Sequence, residues 1–414
     1  MKVVLVTSIP AFPTTAGNRS RIRELARAVM EMGHDLTFVQ LPESVDTGDA
    51  AAHEAAYGKD RYILLGNGGT LGHVYYRARK KIGRQLRKAL IHLGVEAAYY
   101  HGLDEDYHFP WARQLARIGQ NADVVIVEYV FNSKVLHSFP KNVRRIIDTH
   151  DSFGERHRAY SAQGMRTGYW VSLTAADENR GFRRADTLLA IQPEEARGFR
   201  EQLAKDGGHS ANPDVGIVSH FLDTADPVTD FSAGHTAIFL ASNNPSNRQA
   251  IQDFTQNVLP LVVGEMPDFE LKLVGTICNV TPDNPNITKL GRVENLREAF
   301  VQAPLSVNPM LLGTGINIKL LDAMAAGVPT ISTETGLRGL PEAFRNGVVV
   351  VRDRDYGHFS SEILRYASDE ALRWELGQTA HTDATRWNAE QASQLDRCLT
   401  GEPRRAEGKT SREQ

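Results

Sequence analysis

Residues 309–340 read PMLLGTGINIKLLDAMAAGVPTISTETGLRGL, and their types are spaced as an anion-binding site would space them. An apolar run ending at Val307 leads into a loop with Gly313 and Gly315, and a helical pattern opens near Ile316. Glycines let the backbone N–H groups of a loop approach an anion closely, and a helix N-terminus favours negative charge. Lys319 falls in the first helical turn, where its ammonium can reach the same anion and neutralise a leaving diphosphate. Asp322, three residues on, shares that face and is placed to accept hydrogen bonds from ribose hydroxyls. The same spacing also describes a solvated ion pair beside an ordinary core helix, so the residues alone leave both readings open.

The elements that must position these residues are short β-rich runs alternating with helical patterns, the signature of a parallel sheet with crossover helices. Strands are expected at 2–7, 35–40, 62–65, 95–99, 123–128, 145–148 and 187–192, and again at 236–241, 269–275, 305–308, 328–332 and 348–352. Ile22, Leu25, Ala26, Val29 and Met30 line one face of a helix that Gly33 caps. The mixed stretch 215–230 divides the 414 residues into two doubly wound α/β units, each of ordinary domain size. Two such units facing each other make a cleft, and ligands in open α/β sheets lie outside the C-terminal strand ends. The last residues, GEPRRAEGKTSREQ, are too charged and too poor in apolar side chains to fold.

Taken together, these segments resemble the nucleotide-sugar site of the GT-B glycosyltransferases, in particular the branch known as family 4 or glycosyl transferases group 1. That family carries a glycine-containing loop, a helix with a lysine and a carboxylate, then Ala-Met-Ala-x-Gly-x-Pro, and LDAMAAGVP at 321–329 is similar to it. ASNNPSNR at 241–248 resembles a loop near which a basic residue contacts the diphosphate, which implies that role for Arg248. GRVENL at 291–296 and GLRG at 336–339 resemble the step before the donor loop and the turn closing over the donor. TTAGN at 14–18 resembles the opening glycine loop, so Gly17 would approach the donor phosphate. His150, in Thr149-His150-Asp151, matches a family histidine that touches the donor sugar, although a strand-end histidine bonded into the structure gives the same local pattern.

The resemblance implies a GT-B architecture of two facing Rossmann-like domains with an interdomain cleft. An acceptor-side domain would occupy 1–215 and a donor domain 216–380. A helix at 381–400 would pack back toward the first domain, and 401–414 would form a disordered tail. It further implies a retaining, metal-independent transfer of a sugar from a nucleotide sugar to a glycan or lipid-linked acceptor, as in cell-surface polysaccharide biosynthesis. His150 and Lys319 would be catalytic. Gly17, Arg248, Gly313, Thr314, Gly315, Ile316, Lys319 and Asp322 would hold the donor, with no cofactor. Thr314 departs from the pattern, since the family often carries a Glu there, and Asp322 replaces the second Glu of the pair. A nucleotide-sugar epimerase on the same fold and a non-catalytic nucleotide-sugar binder remain as alternatives.

Other signals are weaker. Composition is that of an average soluble protein, 41% hydrophobic and 23% charged, and a net charge of −3 excludes a generic nucleic-acid binder. Two cysteines, Cys278 and Cys398, build neither a disulfide framework nor a zinc site unaided. No secretory leader or membrane span is legible, so a cytoplasmic location is expected, with peripheral contact to the inner face of the membrane. GNGGTLG at 66–72 has Leu71 where a dinucleotide fingerprint needs glycine, and Pro403 breaks the P-loop pattern before Gly408. Asp104/Asp106 and Asp353/Asp355 lack a phosphate-shaped context, and His137, His150 and His157 lack metal-ligand spacing. YYRARKKIGRQLRKALI at 75–91 carries seven Lys/Arg and an apolar repeat of four. It suits an anionic membrane surface or an ordinary surface helix.

Overall fold

The run Val3–Val6 is buried to the last residue, as a strand covered on both faces of a parallel sheet must be. A computed structural model describes residues 1–14, 16–42, 48–66, 69–162, 169–206, 212–293, 295–312 and 316–401. Gly313, Thr314, Gly315 and the tail beyond Gly401 lie outside the described residues. The chain divides into two units, Met1–His220 with Gln391–Gln414, and Phe221–Glu390.

The first unit is built on β1 (Lys2–Thr7), β2 (Asp35–Gln40), β3 (Tyr62–Leu64), β4 (Val124–Glu128), β5 (Arg144–Asp148), β6 (Thr187–Ala190) and β7 (Asp214–Ile217). They form one parallel sheet in the order β3-β2-β1-β4-β5-β6-β7. The helix Gly17–Glu31 follows β1, burying Ile22, Leu25, Ala26 and Val29, and Gly33 ends it at a φ of +80°. Its buried face also includes Arg21 and Glu24, two charges that an amphipathic pattern would place outside.

The second unit holds β8 (Thr236–Leu240), β9 (Glu270–Val274), β10 (Ile287–Gly291), β11 (Ser306–Asn308), β12 (Thr330–Thr333) and β13 (Val348–Val351). Its order, β10-β9-β8-β11-β12-β13, is parallel throughout and is that of a doubly wound nucleotide fold. Phe239, Phe254, Phe269 and Leu271 fill the core on one side of this sheet. In both units the order reverses beside the first strand, so the loops after β1 and β4, and after β8 and β11, flank the switch point where ligands bind.

Most expected strands are present, with three differences. Residues 95–99 form a 3-10 turn, Glu96–Tyr99, because Ala97 and Ala98 offer little to bury on a sheet and Gly94 turns the chain at a φ of +76°. The edge strand β7 was hidden by Pro213 and Gly216. Gly216 packs so tightly on the final helix that a Cβ would lie 2.4 Å from Cys398 Sγ. The edge strand β10 is half-buried along its whole length and so lacks the apolar run of an inner strand. The helix expected at 381–400 is the later part of a longer one, Glu370–Thr400. Its last turns are bound into the first unit by Arg144, whose Nε donates to the Cys398 carbonyl at 2.7 Å.

Candidate active site

In the second unit the site residues gather on two strand-to-helix loops. After β8, Asn244 caps the helix Pro245–Asn257 by accepting from the Asn247 N–H at 2.9 Å, and Pro245 suits the first helical position. That geometry turns the Asn247 side chain inward, where its amide nitrogen donates to the Ser242 carbonyl at 2.9 Å. Its oxygen then accepts from Lys319 Nζ at 2.7 Å. Arg248, next in sequence, is exposed and donates back to Asn243 in the same loop at 2.8 Å.

Lys319 stands in the first turn of the helix Ile318–Ala325, which starts two residues later than expected and has Asn317 at its N-cap. Asn317 donates to Asn308 at 2.8 Å and to the Gly336 carbonyl at 3.2 Å, and Asn308 donates to Ser332 and Gly336. These amides tie the ends of β11 and β12 to the helix start. Gly336 has no room for a side chain, since a Cβ would lie 2.5 Å from Asn308 Nδ2. Gly339, at a φ of +82°, lets its turn approach Ile316 to a distance no side chain would allow. Asp322 sits half-buried one turn beyond Lys319. The structure therefore brings together Lys319, Asp322, Ile316 and the Arg248 loop. Asn247, Asn308 and Asn317 are positioning residues that sequence reasoning missed.

The surroundings of Lys319 are unusual for a half-buried cation. Its Nζ touches Asn247, lies 3.3 Å from Met310 Sδ and stands 4.7 Å above the Phe239 ring. No carboxylate faces it among the described residues, and burial pushes its ammonium down to about 8. A buried charge without a counter-charge is costly, and a site that keeps one is built to receive the opposite charge.

The first unit places His150 just beyond β5, at a φ of +58°, and Tyr129 just beyond β4, at +70°. Both occupy the left-handed region, which costs a residue with a side chain about 1–3 kcal/mol and is concentrated at functional sites. Their rings stack with centroids 4.0 Å apart. Beneath them lie Glu128 and Asp148, side by side in register on β4 and β5 and wholly buried. Arg21, from the helix that Gly17 opens, grips Asp148 through Nε at 2.8 Å and Nη2 at 2.6 Å, and donates to the Val218 carbonyl. His150 Nε2 meets Glu128 Oε2, with Asp148 Oδ2 3.5 Å away.

Burial would push both carboxyls up, and the Arg21 guanidinium decides which stays charged. Together with His150 and a hydrogen bond from Glu128 it outweighs burial at Asp148, holding that carboxyl below its usual range, while burial and the Asp148 charge push Glu128 well above its own. Burial pushes His150 down to about 4. These directions correspond to an Arg21–Asp148 ion pair beside a Glu128–His150 hydrogen bond in which the carboxyl favours its protonated form. Glu128, Asp148 and His150 do present ligand atoms within 4.8 Å of one another. A cation there would meet the Arg21 guanidinium already seated on Asp148, so the residues fit a charge network better than a metal centre. Gly17 lies one turn before Arg21, exposed at the N-terminus of that helix, where the N-cap residue Ala16 has no side chain that could cap the backbone N–H groups.

Residues 234–369 match the family model of the glycosyl transferases group 1. The match covers about a third of the chain and includes Arg248, Lys319 and Asp322. Two curated relatives are similar over part of their length. An exopolysaccharide phosphotransferase of Streptomyces coelicolor is 31% identical over 107 residues, 25% of this chain and 11% of that protein. An uncharacterized 44.6 kDa protein in the cps region of Klebsiella pneumoniae is 26% identical over 137 residues, 30% of this chain and 35% of that one. The chain thus spans about a tenth and a third of the length of these relatives. Among solved structures, TarM superposes with a TM-score of 0.64 at 9% identity, over 97% of this chain and 98% of its own. The fold is the GT-B fold of the glycosyltransferases.

Proposed function

We propose that the protein is a cytoplasmic, retaining, metal-independent glycosyltransferase. It would move a sugar from a nucleotide sugar to a glycan or lipid-linked acceptor in cell-surface polysaccharide assembly. The observation that carries this reading is Lys319, a half-buried ammonium facing no carboxylate among the described residues, in the first turn of a helix at a strand switch point. In the transfer, the bond from the anomeric carbon to the diphosphate breaks, an acceptor hydroxyl oxygen takes its place, and the hydroxyl proton passes to the departing diphosphate. Negative charge builds on the departing diphosphate, and fixed positive charge in a dry site stabilises it without reorganisation. Lys319 supplies that charge with Arg248 on the neighbouring loop, and Asp322 accepts from the ribose hydroxyls. Support comes from the group 1 family match over these same residues. The S. aureus TarM G117R mutant, of like fold, is described in complex with fondaparinux, alpha-GlcNAc-glycerol and UDP. The relatives named for exopolysaccharide and for a cps region support the polysaccharide setting.

A thermal-shift panel of nucleotide sugars tests the reading. A donor at 100 times its Kd should stabilise the protein by about 2.7 kcal/mol, and Lys319→Ala should abolish the shift. Retention of donor binding and turnover by Lys319→Ala overturns the assignment. Incubation with donor alone should leave it intact or slowly hydrolysed, whereas an epimerised product would make the protein an epimerase.

A further inference from the structure

The helix Gly69–His92 carries an apolar stripe that faces away from the protein. Tyr75, Ala78, Ile82, Leu86, Ala89 and Leu93 follow one another in steps of three or four, so they lie along one line of the helix. Tyr75 is 64% exposed, Ile82 67%, Leu86 58% and Leu93 76%. The opposite side is the one that holds the helix in place. Tyr76 is buried against His108 and Trp111, with ring centroids 5.2 and 5.9 Å away. Lys80 pairs with Asp106 and Arg87 with Glu105. A helix turned with its apolar stripe outward is therefore fixed that way by its buried tyrosine and by ion pairs, and its exposed side chains need a partner.

The charges name the chemistry of that partner. No Asp or Glu occurs between Asp60 and Glu96, while residues 75–91 hold seven Lys/Arg. Lys81, Arg84 and Lys88 are exposed and make no ion pair among the described residues. A second copy of the helix would set cations against cations, and a nucleic acid would press phosphates onto the apolar stripe. An anionic bilayer satisfies both features, with headgroups meeting the lysines and acyl chains receiving the stripe. Phe109, 83% exposed in the loop on which Tyr76 packs, adds an aromatic of the kind that favours the membrane–water interface. No described helix is long and apolar enough to cross a membrane, so the contact lies along the surface.

We infer that the helix Gly69–His92 docks the protein on anionic phospholipid bilayers through its Tyr75–Ile82–Leu86–Leu93 stripe and flanking lysines. The inference does not depend on the transferase reading. Cosedimentation of the full chain with vesicles tests it. Phosphatidylcholine vesicles containing phosphatidylglycerol should pull the protein down, less so as salt rises, and phosphatidylcholine alone should do so far less. Ile82→Ser with Leu86→Ser, and separately Lys81→Glu with Lys88→Glu, should each lower the partition about tenfold or more with an unchanged circular dichroism spectrum. Four results would overturn the inference. They are no partition onto phosphatidylglycerol vesicles, equal partition onto both compositions, wild-type partition by both double variants, and a lipid-free dimer that the serine variant dissociates.

Discussion

Arg21, buried, and Lys319, half-buried, are cations drawn out of bulk water, one in each unit, and the protein treats them in opposite ways. Arg21 has a carboxylate gripped at two points and a carbonyl besides. Lys319 has, among the described residues, an amide oxygen, a thioether and an aromatic face, all neutral. The first arrangement is complete and stabilises a local geometry, the left-handed turn that presents His150. The second is incomplete by one negative charge. A satisfied charge reads as scaffold and an unsatisfied one as a binding group, and only the first of these two is fully hidden from water.

Opposite signs of stability change should follow from removing the two. Asp148→Ala leaves the Arg21 guanidinium buried without its partner, and breaking a buried pair from one side costs about 3–5 kcal/mol. Denaturant unfolding should show that loss, and a drop below about 1 kcal/mol would break the comparison at its Arg21 end. Lys319→Met should instead stabilise. The depression of Lys319 to about 8 corresponds to a burial penalty on the order of 3 kcal/mol, of which the lost Asn247 bond returns about 1. The same variant should weaken nucleoside diphosphate binding by roughly 10- to 100-fold, since a hydrogen bond to a charged group contributes about 1.5–3 kcal/mol. Calorimetric melting and titration of the one variant would read both effects.

The difference between the cations was only half legible in the sequence. Lys319 announced itself through the glycines before it and the helix pattern after it, features of local backbone chemistry. Asn247, which holds its Nζ, did not, because a side-chain amide reaching from another loop leaves no periodic trace. The Arg21 network left a mark that was passed over. Arg21 and Glu24 interrupt an otherwise apolar helix face, and the runs VVIVE and RRIID each end in an acid on neighbouring strands. Two carboxylates in register repel unless a cation or a proton separates them, and here Arg21 supplies the cation. The sheets were readable where strands are inner and apolar, and not at the edges β7 and β10, where burial is partial and pattern fades.

The pH dependence of ligand binding sharpens the contrast at the Lys319 end. Its pKa of about 8 lies below that of an unfolded lysine, near 10.4. Below pH 8 both states hold the proton and the burial penalty is complete. Between the two values the unfolded chain binds more protons, so the Lys319 contribution to stability rises with pH across that window. Diphosphate affinity runs the other way, because only the ammonium attracts the anion. Above pH 8 the Kd for UDP should rise up to about tenfold per pH unit, and Lys319→Met should flatten that rise. A wild-type profile without an inflection between pH 8 and 10 would mean the lysine is better solvated than its neighbours suggest.

The smallest effect expected is also the most specific. If Glu128 is held protonated, Glu128→Gln replaces one neutral donor to His150 Nε2 by another of nearly the same shape. Unfolding free energy should then change by no more than about 0.5 kcal/mol, while Glu128→Ala, which strips the buried ring nitrogen of its partner, should cost about 1–3 kcal/mol. An ionised Glu128 would behave otherwise, since the Gln variant would delete a charge that an imidazolium needs. Nitrogen NMR of labelled histidine distinguishes the two. With Glu128 as the donor, the ring proton of His150 resides on Nδ1 in both the wild type and the Gln variant. The imidazole is then a fixed hydrogen-bond donor through Nδ1 from neutral pH down to about pH 4, below which it charges. Protonation at both nitrogens at pH 7 would show instead an imidazolium paired with an ionised Glu128.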